Sequence, residues 1–182
     1  MNRFRIHALA LATGLALSSL AAAQTMSKEQ YQSGKDRIAA EYKAGKEACG
    51  SLSANARDIC KAEADGREMV AKAELDARYQ PSVEADYKLR VARSDANYAV
   101  AKQRCDDSAG NVKDVCLKEA KANEVAAKAD AKARMKTADA RNEAASATRD
   151  ADYAVAKEKC EVFAGDAKAR CLNDAKARFG KS

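Results

Sequence analysis

The sequence predicts an all-α protein, an elongated tandem array of three disulfide-closed αα-hairpins joined by long helices. Three observations carry this. Ala supplies 44 of 182 residues, a third of the chain is charged, and Pro81 is the single proline. That is the composition of long helices rather than of sheets. Six cysteines fall into the pairs Cys49/Cys60, Cys105/Cys116 and Cys160/Cys171, each with ten residues between, recurring at intervals of 56 and 55. Finally, turn-forming residues stand at the midpoint of the pairs. Aromatic residues make up only 5%, Trp is absent, and Val, Ile and Leu are sparse. A sandwich, a barrel and a large enzyme-type core are excluded on those grounds.

Residues 1–23 read as a secretory signal peptide. Arg3 and Arg5 give a basic start, Ile6 to Leu20 is mostly apolar, and Ala21-Ala22-Ala23 supplies small residues before a cut at Gln24. The apolar run is short of the roughly 20 residues of a membrane span. No Cys follows it for lipid attachment, and the arginines are not adjacent as in a twin-arginine signal. The chain is therefore expected to be exported and periplasmic, with no stable membrane span after cleavage. Cleavage removes Arg3, Arg5 and His7, lowering the net charge from +6 to +4 and leaving no histidine. Ser-His-Asp and Cys-His nucleophiles, His-ligated zinc and Cys-x-x-Cys-His haem attachment are then out of reach.

Three repeats follow: a hairpin over 24–80, a second over 81–135, and a third, truncated, over 136–182. Their flanks repeat as well. Asp95-Ala-Asn-Tyr-Ala-Val-Ala-Lys-Gln-Arg-Cys105 matches Asp150-Ala-Asp-Tyr-Ala-Val-Ala-Lys-Glu-Lys-Cys160, with Glu41-Tyr-Lys-Ala-Gly-Lys-Glu-Ala-Cys49 a weaker copy. Tyr42, Tyr98 and Tyr153 each stand seven residues before the first Cys of a pair, on a stripe expected to face Ala on the partner helix. Between the cysteines, Gly110 and Gly165 are left-handed helix stops, and Asn111 and Asp166 suit the N-cap of a following helix. The first repeat has Ala54 and Asn55 there, a weaker stop. Cysteines placed evenly about such a turn sit level on antiparallel helices, within the 5.5–6 Å typical of bridged Cα atoms. On one unbroken helix they would share a face about 16 Å apart, and would link two parallel chains instead. The Gly-Asn and Gly-Asp midpoints favour the hairpin.

In order, the first helix is expected from Ser27, whose Ser-x-x-Gln30 resembles a capping box, to about Leu52. The second covers Asn55 to Tyr79. Pro81 is placed in the first turn of the third, which ends near Ser108. Val112 to Phe163 contains no Gly or Pro and reads as one helix of about 75–80 Å. The last covers Ala167–Phe179, with Gly180 ending it. Residues 120–150, almost all Ala and charge, are expected to be solvated. Large apolar residues such as Ile38, Ile59, Leu75 and Leu172 are scattered. The disulfides are expected to stand in for the thin core, at about 3 kcal/mol each for a short loop.

No catalytic, cofactor-binding or metal site is assigned, and no cofactor. The six cysteines, Cys49, Cys60, Cys105, Cys116, Cys160 and Cys171, are read as structural disulfides. Redox pairs usually stand two residues apart, and Met26, Met69 and Met135 do not recur with them as copper ligands would. Basic and acidic residues interleave, as in Lys118-Glu119-Ala-Lys121, so no basic stripe for nucleic acid forms. The tyrosines are read as hairpin packing, and Asp106-Asp107 as a solvated helix end.

The Tyr-Ala-Val-Ala-Lys-x-x-Cys and Cys-Leu-x-x-Ala-Lys-Ala phrases resemble a group of small exported Ala/Lys-rich helical proteins of Gram-negative bacteria with repeated Cys pairs. The Ala/Lys/Glu stretches are also similar in composition to the helical region of the cell-envelope protein TolA. TolA-type proteins keep an uncleaved N-terminal anchor and end in a globular domain, features this sequence is not expected to share. Both resemblances imply an envelope location and carry no functional residues across. The expected function is a non-enzymatic periplasmic spacer or interaction module, partnered by protein or envelope components and open to self-association through its Ala-rich helices. The alternative is a thiol-redox or metal-binding stress protein using the Cys pairs.

Overall fold

A computed structural model describes residues 26–181, so the expected signal peptide lies outside the described residues. Five helices follow one another: α1 Lys28–Ala48, α2 Ala54–Tyr79, α3 Val83–Cys105, α4 Gly110–Cys160 and α5 Gly165–Phe179. A 3-10 turn, Cys49–Ser51, follows α1, and there is no strand among the described residues. Among the described residues each helix packs only on its neighbours in sequence, and α2 against α3 is the most extensive of these contacts. The α1–α2, α3–α4 and α4–α5 reversals are the three disulfide-closed hairpins. Helix α4 is 51 residues long, about 75 Å, and serves two hairpins, one at each end. The 135/136 repeat boundary falls inside it, and residues 139–152 are exposed throughout.

Local chemistry explains most helix limits. Ser27 starts α1 with a complete capping box, its Oγ accepting from Gln30 N at 3.2 Å while Gln30 Oε1 accepts from Ser27 N at 2.9 Å. The start of α3 corrects the sequence reading. Pro81 lies two residues ahead of the helix, and Ser82 is the N-cap, accepting from Ala85 N at 3.0 Å. A hydroxyl can satisfy an orphan N–H, whereas proline can only fix φ, so the cap forms at Ser82. Helix α3 also stops at Cys105 rather than Ser108, and α4 at Cys160 rather than Phe163, because short turns Cys105 O to Ser108 N and Cys160 O to Phe163 N follow. Gly180, at φ 63°, ends α5 as expected.

The hairpin turns carry a second correction. Gly110 and Gly165 do adopt left-handed backbone, φ 56° and 54°, but as the opening residue of the second helix instead of the closing residue of the first. The N-cap residues are Ser53, Ala109 and Ala164, in extended backbone with no side-chain cap, and Asn111 and Asp166 do not cap. Asn55 is used elsewhere: its amide donates to Gln103 O at 2.8 Å and Asp107 Oδ1 at 2.7 Å, tying the first hairpin tip to the second.

The core is a chain of small-residue contacts. Ile38 and Leu75 are buried between α1 and α2, and Leu75 lies so close to Gly34 that a Cβ there would stand 2.7 Å from its Cδ1. At the α2–α3 crossing, a Cβ on Gly66 would meet that of Ala96 at 2.9 Å. Ala64, Ala92, Ala96, Ala120, Ala131 and Ala175 complete the buried set with the cysteines. Ala54 occupies the left-handed turn position of the first hairpin at φ 46°, where the other two have glycine. Ala54→Gly is therefore expected to raise stability by about 1 kcal/mol and Gly110→Ala to lower it by a similar amount, both read as shifts of the thermal midpoint.

Candidate functional site

The residues singled out by the sequence are brought together in pairs at the hairpin tips. Cys49–Cys60, Cys105–Cys116 and Cys160–Cys171 are closed, with Cα separations of 5.6, 5.6 and 5.7 Å. These are the relaxed separations of bridged residues. In each pair the first cysteine is almost wholly buried and the second half-buried. Placing the bridge at the end of one helix and on the second turn of the next holds the two helices level.

A basic residue three positions before the second cysteine fastens each turn, a feature sequence reasoning missed. Arg57 Nε donates to Leu52 O at 2.7 Å, Lys113 pairs with Asp106 at 2.7 Å, and Lys168 pairs with Glu161 at 2.6 Å. The signal was available: Arg57, Lys113 and Lys168 occupy one repeat position, and Asp106 and Glu161 another. Asp106-Asp107 is thus more than a solvated helix end, since Asp106 binds Lys113 and Asp107 accepts from Asn55. The tips otherwise differ, and the third exposes Val162 and Phe163.

The repeated tyrosines each reach across to the partner helix, where they meet a carboxylate, an ammonium group or an aromatic ring. Tyr42 donates to Asp65 at 2.9 Å, beside Lys46 at 2.8 Å from the same oxygen. Lys121 stands 5.0 Å over the Tyr98 ring, and Tyr153 meets Phe179 with ring centres 6.2 Å apart. Burial raises the Asp65 carboxyl, but Lys46 and Tyr42 outweigh it and hold it below the ordinary range.

Between α3 and α4 sits a buried carboxylate. Glu124 is 7% exposed, paired with Lys121 and Lys128 at 2.6 Å each, and Lys128 also reaches Asp95 of α3 at 2.5 Å. Ser94, also buried, donates to Glu124 O at 3.2 Å. The two ammonium groups, Lys121 foremost, hold the Glu124 carboxyl down to about 2. The arrangement is a helix clamp, and Glu68–Lys72, at 2.6 Å, is its counterpart in the first repeat.

An open groove of about 670 Å³ runs along α2 and α3. Val70, Ala71, Val100 and Ala101 line it, and the ion pairs Glu63–Arg104 (2.9 Å) and Glu74–Arg93 (2.6 Å) bridge its rim. No three His, Cys, Asp or Glu side chains converge as a metal cage among the described residues. No family model, curated protein or solved structure matches the chain.

Reduction is expected to lower the thermal midpoint, each lost bridge costing about 2–3 kcal/mol, while the α4 segment between hairpins stays helical. Cys105→Ser alone should expose one thiol at Cys116 and cost about as much as removing both. Because Glu124 titrates lower folded than unfolded, its stabilisation is present above its ordinary 4.5 and is lost as pH falls toward 2. Acid melts should show Glu124→Gln less stable than the parent at pH 6, with a shallower decline between pH 5 and 2.

Proposed function

We propose that this protein is a non-enzymatic, exported helical repeat protein that acts as a spacer and interaction module of the bacterial envelope. The observation that carries this is the pair of disulfide-locked hairpins held apart on one 51-residue helix. A helix of that length, solvated over 141–150 and rich in Ala with charges of both signs, keeps its length without a core. Three bridges between near neighbours suit an oxidising compartment such as the periplasm. Among the described residues no helix is long and apolar enough to cross a membrane. The resemblance to small exported Ala/Lys-rich proteins of Gram-negative bacteria supports the same compartment.

The reading is tested on protein recovered from periplasm. N-terminal sequencing should begin at or near Gln24, and denatured, unreduced protein should contain no free thiol. Small-angle scattering should give a radius of gyration well above the roughly 15 Å of a compact domain of this length. Met1 intact on membrane-bound protein would sink the export step. Reactive cysteine pairs would favour a thiol-handling protein instead.

A further inference from the structure

The three hairpins share the bridge at the tip, and the repeats diverge most in what lies between them. After the first hairpin, Gln80-Pro81-Ser82 turns the chain, and α3 folds back along α2. The corresponding positions after the second hairpin are Lys136-Thr137-Ala138, which interrupt nothing, and α4 runs on. The faces that α2 and α3 bury on one another therefore recur on the two halves of α4 with nothing against them.

The correspondence holds residue by residue. Glu63, Gly66 and Val70 of α2 recur, 56 positions on, as Glu119, Ala122 and Ala126. Ala96, Val100 and Arg104 of α3 recur, 55 positions on, as Ala151, Val155 and Lys159. In α2–α3, Gly66 abuts Ala96 and Glu63 pairs with Arg104 at 2.9 Å. All six counterparts on α4 are exposed, Val155 by 54%. The other face of each half is occupied, by α3 through Ala120, Glu124 and Ala131, and by α5 through Tyr153 and Cys160.

The two open faces also lie on one side of the helix. Ala122 and Ala151 are 29 residues apart, about eight turns at 3.6 residues per turn. Between them Ala126, Ala129, Ala133, Ala140, Ala144 and Ala147 continue the stripe at intervals of three and four, with Thr137 at its centre. Thr137 donates its hydroxyl to Ala133 O within the helix, so the stripe has no unpaired donor there.

We propose that two copies of the chain pair through this side of α4, antiparallel about a two-fold axis near Thr137 and Ala138. Each copy's second half then lies on the other's first half as α3 lies on α2. Glu119 of one copy faces Lys159 of the other, and the pairing occurs twice because the interface is self-complementary. Alanine at the three-four spacing lets the helices approach to the lower end of the usual 8–10 Å axis separation. A straight α4 cannot bring its own halves together, so the occupant is a second copy.

Sedimentation of the oxidised protein over a wide concentration range tests this. Twice the chain mass is expected, dissociating on dilution. Glu119→Lys or Lys159→Glu alone should weaken the dimer roughly tenfold or more, since each sets like charges together twice. The double variant should return to within about threefold of the parent, because opposite signs are restored. Ala126→Arg should abolish the dimer. These positions are solvent-exposed in one chain, so helicity and the three disulfides should be unchanged, which separates lost pairing from lost folding. A parent that stays monomeric throughout, or a dimer that none of these substitutions moves, would overturn the proposal. A double variant no tighter than the singles would overturn the antiparallel register.

Discussion

The reversal of chain direction at each hairpin tip has to be held by something other than a core, because alanine faces leave adjacent helices free to slide. The bridge between cysteines on either side of the turn supplies that constraint, with Cα atoms 5.6–5.7 Å apart in all three hairpins. Once the helix ends are level, every contact farther along falls into register: Tyr42 reaches Asp65, Leu75 covers Gly34, and Lys128 finds Asp95. None of these is large. They accumulate only because the bridge removes the alternatives from the unfolded ensemble and fixes one alignment in the folded state.

The same unit is elaborated differently in each copy. In the first, a tyrosine hydroxyl and a lysine share one carboxylate; in the second, a lysine lies on the tyrosine ring; in the third, the tyrosine meets a phenylalanine. The Glu68–Lys72 pair of the first repeat is deepened in the second into a carboxylate held by two lysines and anchored to α3. The junctions diverge most. One proline-containing turn lays the first two hairpins side by side, α2 against α3, and its absence strings the third out along α4.

Much of this was legible in the sequence, for identifiable reasons. Cysteine spacing and the glycines between fixed the bridges, because few backbones bring residues eleven apart within bonding distance. The capping box at Ser27 and the glycine stop at Gly180 are local chemistry and were read correctly. What was misread depends on competition between neighbours. Asn55 and Asn111 have good capping side chains, yet the left-handed residue before each places the helix start one step earlier, and Asn55 finds partners on α3 instead. Ser82 outdid Pro81 as the start of α3. Burial of Glu124 was invisible, since a lone Glu between two lysines reads as solvated surface until the opposing helix is in place.

The interval of 55 rather than 56 residues between the second and third cysteine pairs sets an angle. Along a continuous helix each residue turns the chain by about 100° and advances it about 1.5 Å. The missing residue hardly shortens α4, but it swings the third hairpin by more than a quarter turn about the helix axis, bringing Ala151 into line with Ala122. Distance between the hairpins is thus freely adjustable, whereas their relative azimuth is quantised. Insertions of about 7, 11 or 18 residues would keep the phase, and those of one or two would send the terminal hairpin around to another side of the rod.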